Sequence, residues 1–257
     1  MLTEIASAGL AAGLAAGGYA YAGKSPVSQI FGPTVIAGGD VRQIALTYDD
    51  GPNEPYTEQL LEILATHRVR ATFFLVGNFV RLRPQIARAV RQAGHLIGNH
   101  TLTHPNLMLQ SPRRVRQELI ACTAAIEDAI GERVAWFRPP FGLRRPDVLR
   151  TARELGLVPV LWNVTGYDWN ERSVERLVQR VRSGIERNRS RRRSSSVLLH
   201  DGGHLGLGAD RSVTIAVLSI VDSTICAKND QSSSMHPCSW KQYSAGAANS
   251  RNWTCLK

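Results

Sequence analysis

Two patterns of hydrophobic and polar positions alternate along the chain from Arg42 to about Ser223. Short apolar runs rich in β-branched and aromatic residues predict buried strands, and longer stretches with apolar residues three or four apart predict helices. This alternation is typical of repeated βα units around one parallel sheet or barrel. The predicted strands are Ile44–Tyr48, Ala71–Val76, His95–Ile97, Val134–Phe137, Val158–Val164 and Ser196–Leu199.

The clearest predicted helix runs from Pro112 to Ile130. Ser111 is placed to cap it, proline suits its first turn, and Gly131 can end it. One face of this helix is apolar and carries Val115, Leu119, Cys122, Ile126 and Ile130. A second amphipathic helix, capped by Ser173, is indicated by Val174, Leu177, Val178, Val181 and Ile185.

The chain of 257 residues is long enough for one sizeable core with appendages. Residues 41–223 are predicted to form that domain, after a Gly-, Pro- and Ser-rich linker at 23–40 and before an atypical tail at 224–257. Residues 5–22 carry no charge and approach the length of a membrane span, although a basic flank is missing. We interpret residues 1–22 as a signal-like or membrane-anchor segment at the cell envelope; the alternative is a flexible or helical leader.

The balance of charge is basic, with 31 Lys and Arg against 21 Asp and Glu. Arginines are concentrated late in the chain, at Arg187, Arg189, Arg191, Arg192 and Arg193. Such a run favours anionic partners, but a run broken by serines is also typical of a solvated loop. Because no aromatic residues are interleaved with the arginines, the sequence does not predict a nucleic-acid partner.

Unusual polar residues follow the predicted strands. The first strand is followed by Asp49 and Asp50, and full ionisation of neighbouring buried carboxylates requires a cation or a shared proton. Side chains alternate along an extended chain, so the two carboxylates point in different directions. One can therefore hold a metal while the other handles a proton; the alternative is a solvated Asp-Asp-Gly-Pro turn.

Two histidines, His100 and His104, follow the strand around Ile97. On one helical turn or a tight loop, imidazoles four residues apart can reach a single ion. With Asp50 they make a set of two histidines and one carboxylate that leaves positions open for water and substrate. We expect a metal site there, although a histidine pair taken alone is often a surface feature.

Arg138 follows the next apolar run and is expected to need a carboxylate partner, for which Asp49 is the candidate. The rigid proline turn after it can present the backbone N–H of Phe141 to a developing oxyanion. Trp162 and Trp169 can stack on a sugar ring or complete the core. His200, at the end of the last predicted strand, is expected to donate a proton; the alternative is a core histidine.

Five motifs together resemble the NodB-like polysaccharide deacetylases, the fourth family of carbohydrate esterases. They are Thr-Tyr-Asp-Asp-Gly-Pro, His-Thr-Leu-Thr-His, Arg-Pro-Pro-Phe-Gly, Trp-Asn-Val-Thr-Gly-Tyr-Asp-Trp and Leu-Leu-His, between about Gln43 and Ser212. The resemblance implies a distorted (β/α) barrel with fewer than eight regular units. It also implies a divalent metal, usually zinc, with Co²⁺ or Mn²⁺ as alternatives, and removal of N-acetyl groups from N-acetylhexosamine polymers.

Position by position, the resemblance implies that Asp49 is the catalytic base and that Asp50, His100 and His104 hold the metal. It implies that Arg138 orients the base, Phe141 offers its amide, Leu198 and His200 form the last motif, and Asp168 tunes that histidine. Thr165 stands where many members carry aspartate, and the residues after Ser223 lack the usual final strand.

The expected substrate is peptidoglycan, which is a cell-envelope glycan, or a chitin-like oligomer. Some relatives act on acetylated xylan, so an O-deacetylase of that type is an alternative. Alternatives are a carbohydrate-binding relative without turnover and a metal-dependent phosphohydrolase, which the absence of a Gly-rich phosphate loop disfavours.

Cys122 is expected to be an inert core residue. Cys226, Cys238 and Cys255 lie in the tail and show no zinc-binding spacing.

Overall fold

The computed structural model describes residue 13 and residues 15–217. Its strands are β1 (Ile44–Gly51), β2 (Thr72–Leu75), β3 (Leu96–Asn99), β4 (Trp136–Phe137), β5 (Val158–Pro159), β6 (Val164–Thr165) and β7 (Ser195–His200). Its main helices are α1 (Tyr56–Thr66), α2 (Gly77–Leu82), α3 (Pro84–Gln92), α4 (Pro112–Ile130), α5 (Pro146–Glu154) and α6 (Val174–Ser190). Helical backbone also occurs at 15–24 and 212–217.

The seven strands form one parallel sheet in the order β5-β4-β3-β2-β1-β7-β6. β1 therefore lies inside the sheet, between β2 and β7. The register pairs Asp49 of β1 with His200 of β7, and Asn99, the last residue of β3, with Phe137 of β4. Because all strands run the same way, the polar residues at their carboxyl ends meet at one edge of the sheet.

Residues 158–164 were predicted to be one strand, and this prediction is wrong. The structure places β5 beside β4 at one edge of the sheet and β6 beside β7 at the other. The backbone between them bonds elsewhere, since Leu161 N donates to Val35 O over 2.7 Å and Asn163 N to Ser196 O over 3.2 Å. Five peptide steps span at most about 18 Å, so the two edges lie close together and the sheet curls into a half-barrel.

The predicted helix from Pro112 to Ile130 is confirmed as α4. The Ser111 hydroxyl oxygen accepts a hydrogen bond from Arg114 N at 3.2 Å, which satisfies one of the free N–H groups of the first turn. Gly131 ends the helix with φ 71°, a left-handed conformation that favours glycine. The buried face of α4, which includes Cys122, packs beside the loop that follows β3.

The second predicted amphipathic helix is confirmed as α6, where Ser173 accepts from Arg176 N at 3.3 Å. Its buried side chains Leu177, Val181 and Ile185 join the same core cluster as Tyr48 and Phe73 of the sheet. The Tyr48 and Phe73 rings stack at 5.1 Å between centroids. Full burial of each such side chain contributes about 1.5–3 kcal/mol, so this core fixes the central strands that carry the polar residues.

Most of the predicted leader and the whole predicted tail, with its three cysteines, lie outside the described residues. Among the residues that the structure does describe, no helix combines the length and the apolar character needed to cross a membrane. The predicted linker packs on the domain, because Val35 bridges to Val160 and the Arg144 guanidinium donates to the carbonyls of Ser25 and Ser28. The late arginine run is exposed at the end of α6, before β7 begins.

Candidate active site

A bulge in β1 separates the two neighbouring aspartates. The strand continues to Gly51 instead of stopping at Tyr48, and its pairing with β2 skips Asp50, which has φ 72°. A bulge re-aims one side chain while the strand keeps its pairing on either side. Asp49 therefore stays in the ladder opposite His200, and the Asp50 carboxylate turns toward the loop after β3.

Asp50, His100 and His104 converge on one buried point. Asp50 Oδ1 lies 3.0 Å from His104 Nε2 and 3.4 Å from His100 Nε2. One ligand atom from each residue can be chosen so that all lie within 4.8 Å of one another. This is the arrangement that the sequence predicted for the three residues.

The three side chains fit a divalent cation. Asp50 Oδ1 is buried and accepts no hydrogen bond of good geometry from the described residues. A charged oxygen facing two imidazole nitrogens is a donor set that zinc and related metals accept, and it leaves coordination positions open.

The loop that carries the histidines is held by β4 and α4. His100 Nδ1 lies 2.8 Å from the carbonyl oxygen of Arg138. Because a carbonyl can only accept, Nδ1 carries the hydrogen and the lone pair of Nε2 faces Asp50. The buried Glu118 carboxylate of α4 accepts from both the N–H and the hydroxyl of Thr103, each at 2.8 Å.

Left-handed backbone conformations are concentrated at this edge of the sheet. Within the described residues, seven non-glycine residues have positive φ, and five of them lie at or beside the strand ends. These five are Asp50, Thr101, His104, Phe141 and Tyr167. Such conformations persist only where the surrounding contacts over-determine them, so the site is held in a fixed geometry before any ligand arrives.

Asp49 forms the ion pair with Arg138 that the sequence predicted. Arg138 is fully buried, and its Nη1 lies 2.7 Å from Asp49 Oδ1 and 2.8 Å from the Thr47 hydroxyl. Burial lowers the pKa of Arg138, and Asp49 acts against that shift. The second Asp49 oxygen lies 3.7 Å from His100 Nε2, so one oxygen is anchored while the other faces the candidate metal site.

Asp168 fixes both the backbone and the ring of His200. Its Oδ2 accepts from His200 N at 2.7 Å, and its Oδ1 lies 2.9 Å from His200 Nδ1. The Thr214 hydroxyl donates to the same carboxylate at 2.8 Å. Burial lowers the pKa of His200, but the charge and hydrogen bond of Asp168, together with the β1 aspartates, raise it to about 9. His200 is therefore held as a cation near neutral pH.

Aromatic side chains of two kinds surround these groups. Phe141, Tyr167 and Trp169 are each about half exposed, and the Trp169 ring lies 5.0 Å from the His200 ring. Trp162 is only 9% exposed and belongs to a buried cluster with Leu161 and Leu198. Of the two predicted alternatives for Trp162, the structure therefore favours the core, and stacking on a sugar ring does not fit its burial.

Sequence reasoning missed several residues that shape the site. The Thr47 hydroxyl accepts a hydrogen bond from Arg138, and the Thr214 hydroxyl donates one to Asp168. The His204 ring lies against the His104 ring. Asp201 is fully buried beside Gly51 and accepts from the Thr57 hydroxyl at 2.6 Å. Only Asp201 had a signal, since a carboxylate directly after the last apolar run requires a partner.

Comparisons with known proteins identify the family of this chain. The sequence profile described as polysaccharide deacetylase matches residues 37–160. A chitooligosaccharide deacetylase of Bradyrhizobium sp. is 39% identical over 182 residues, which are 69% of this chain and 80% of the relative. The chain belongs to the polysaccharide deacetylase family. The family resemblance inferred from the five motifs is thus confirmed, as is the distorted barrel.

Two further members of the family differ in what they do. A peptidoglycan-N-acetylglucosamine deacetylase of Bacillus cereus is 36% identical over 68% of this chain and 78% of its own length. Bacillus anthracis has a pseudoenzyme that belongs to the same esterase family. A mutant of this pseudoenzyme with restored enzymatic activity superposes on this chain with TM-score 0.68 at 30% identity. That match covers 76% of this chain and 67% of the pseudoenzyme.

Proposed function

We propose that the protein is a metal-dependent hydrolase that removes N-acetyl groups from a polysaccharide containing N-acetylglucosamine. The observation that carries this proposal is the placement of four groups at one edge of the sheet, namely the possible cation site, Asp49, Arg138 and His200. A possible cation site at Asp50, His100 and His104 lies beside Asp49, which is anchored by Arg138, and β7 sets His200 opposite Asp49.

The side chains divide the steps of amide hydrolysis between them. Asp50, His100 and His104 would hold the cation, whose chemistry is Lewis acidity toward water and the acetamide carbonyl. Asp49 accepts a proton from the attacking water through the oxygen that Arg138 leaves free. The ion pair with Arg138 fixes the orientation of the Asp49 carboxylate, which a general base requires.

Bond breaking requires a proton at the leaving nitrogen. As the tetrahedral intermediate collapses, the C–N bond breaks, acetate leaves and the amine takes its proton from the His200 cation. Asp168 accepts from Nδ1 of that ring and so leaves Nε2–H as the donor. The Phe141 N–H is proposed to donate to the oxyanion, and its ring lies 4.7 Å from that of His104.

The substrate that we propose is a cell-envelope glycan, peptidoglycan or a chitin-like oligomer. The named activities of the Bradyrhizobium and Bacillus cereus relatives support N-acetylglucosamine as the sugar. The half-exposed rings of Phe141, Tyr167 and Trp169 offer apolar faces of the kind that contact sugars. We further propose that residues 1–22 export or anchor the protein, which fractionation of cells expressing a C-terminally tagged chain would test.

Acetate release tests the proposal. Purified peptidoglycan, chitooligosaccharides and acetylated xylan are supplied to the enzyme before and after a chelator, followed by addition of Zn²⁺, Co²⁺ or Mn²⁺. We expect release from the two N-acetylated glycans, loss with chelator and recovery with a cation, most strongly with zinc. Release from xylan alone would identify an O-deacetylase instead.

A carbohydrate-binding relative without turnover is the second candidate, because a solved neighbour is a pseudoenzyme of this family. Such a protein would retain chitooligosaccharide on an affinity column and release no acetate with any cation. The presence of Asp49, Asp50, His100, His104 and His200 in one constellation favours the enzyme.

A further inference from the structure

His104 lacks a contact that usually orients a metal-ligating histidine. The ring nitrogen that does not bind the metal ordinarily donates to a carboxylate or a carbonyl, which fixes the ring plane and the tautomer. His100 has this contact, through Nδ1 and the carbonyl of Arg138 at 2.8 Å. His104 Nδ1 is buried and has no hydrogen-bond partner among the described residues. Another contact must therefore hold the His104 ring.

Two neighbouring rings enclose the His104 imidazole. The Phe141 ring meets it edge-on, with 4.7 Å between centroids and an interplanar angle of 75°. The His204 ring is stacked on it at 5.1 Å and 28°, and His204 also contacts Phe141 at 5.4 Å. Offset-stacked and edge-on arrangements are the favourable geometries for pairs of rings. This cluster restrains rotation of His104, the motion that a hydrogen bond at Nδ1 would otherwise prevent.

The position of His204 is set by the loop that follows β7. At Gly202 an added Cβ would lie 2.0 Å from the backbone oxygen of Asp50, so the loop passes directly against the bulge. Arg211 Nε donates to Gly202 O at 2.6 Å at the start of the loop. Asn53 holds its other end, donating to Ala209 O at 2.9 Å and accepting from Gly208 N at 2.6 Å. His204 is exposed but lies on an anchored backbone.

We propose that His204 is a positioning residue, whose ring stacks on His104 and keeps its Nε2 directed at Asp50 Oδ1. Loss of this ring frees His104 to rotate, and the cation site loses part of its pre-organisation. The effect is exerted through ring contact rather than through a nitrogen of His204. This inference rests on the cation site of the proposed function, and cation affinity tests it separately from catalysis.

The test compares His204→Ala and His204→Phe with Leu205→Ala as the matched control. Leu205 is the next residue in the loop and is 93% exposed. Metal-free protein is titrated with Zn²⁺ against a chromophoric chelator, and the absorption spectrum of the Co²⁺ form is recorded. We expect His204→Ala to weaken zinc affinity about 3- to 10-fold and to change the Co²⁺ spectrum. Phenylalanine should restore affinity to within about 2-fold, and Leu205→Ala should match the wild type.

Three results would overturn the proposal. Unchanged affinity in His204→Ala would show that stacking does not position His104, and equal weakening in His204→Phe would show that a nitrogen of His204 acts instead. Equal weakening in Leu205→Ala would assign the effect to the loop as a whole. Urea unfolding of the metal-free variants checks that all are folded. Failure of the wild type to bind any cation would instead refute the proposed function.

Discussion

Replacing Asp49 with asparagine tests the proposed base, because the change removes a charge and almost no volume. In the structure one Asp49 oxygen pairs with Arg138 at 2.7 Å and the other lies 3.7 Å from His100 Nε2. An amide can still accept from Arg138 but cannot take a proton from water at neutral pH. The residues of the cation site, Asp50, His100 and His104, are untouched.

Asp49→Asn is expected to change both kcat and the free energy of unfolding. Loss of a positioned general base lowers kcat by about 10²- to 10⁴-fold, while cation affinity should stay near that of the wild type. Arg138 is fully buried, and removing one partner of a buried ion pair costs about 3–5 kcal/mol of stability. The same variant should therefore be both inactive and less stable.

A second substitution separates these two effects. Arg138 lies 4.1 Å above the Phe74 ring, where a methionine side chain can pack in its place. Because replacing both partners of a buried ion pair by uncharged groups is often neutral, Asp49→Asn/Arg138→Met should recover most of the lost stability. Its acetate release should stay as low as that of Asp49→Asn.

The assays are acetate release from chitooligosaccharide, urea unfolding and zinc titration on the same preparations. Normal deacetylation by Asp49→Asn would show that Asp49 is not the base. Recovery of activity in the double variant would show that the single variant failed through instability. Loss of zinc from Asp49→Asn would place Asp49 among the metal ligands.

Two further predictions concern pH. His200 donates a proton only as a cation, so kcat should fall as pH rises through the His200 pKa of about 9. Asp168→Asn should move this fall in kcat to lower pH. A pH–rate profile that falls at the same pH in both proteins would contradict the Asp168–His200 coupling. Burial raises the pKa of Asp201 to about 7, so the folded state keeps a proton that the unfolded chain loses near pH 4. The free energy of unfolding should therefore fall as pH rises from about 4 to about 7, and Asp201→Asn should remove this part of the dependence. Urea unfolding at about pH 5 and about pH 8 measures it, and an identical dependence in both proteins would contradict it.

The alternation of apolar runs and helical stretches determined the order of most elements. α4 and α6 were predicted from caps and from apolar residues on one face, which are local properties. The failure at residues 158–164 has a physical cause. A continuous apolar run is equally consistent with one buried strand and with two strands at opposite edges, and only the backbone partners Val35 and Ser196 distinguish them.

The sequence by itself determined which polar residues stand at the strand ends, because a carboxylate or imidazole directly after an apolar run is a local signal. The tertiary structure alone decided how they are aimed. The bulge at Asp50, the burial of Trp162 and the stacking of His204 on His104 depend on pairing across strands and on loop closure. These contacts join residues many tens of positions apart, so no window of the sequence specifies them, whereas packing and hydrogen bonding in the folded chain do.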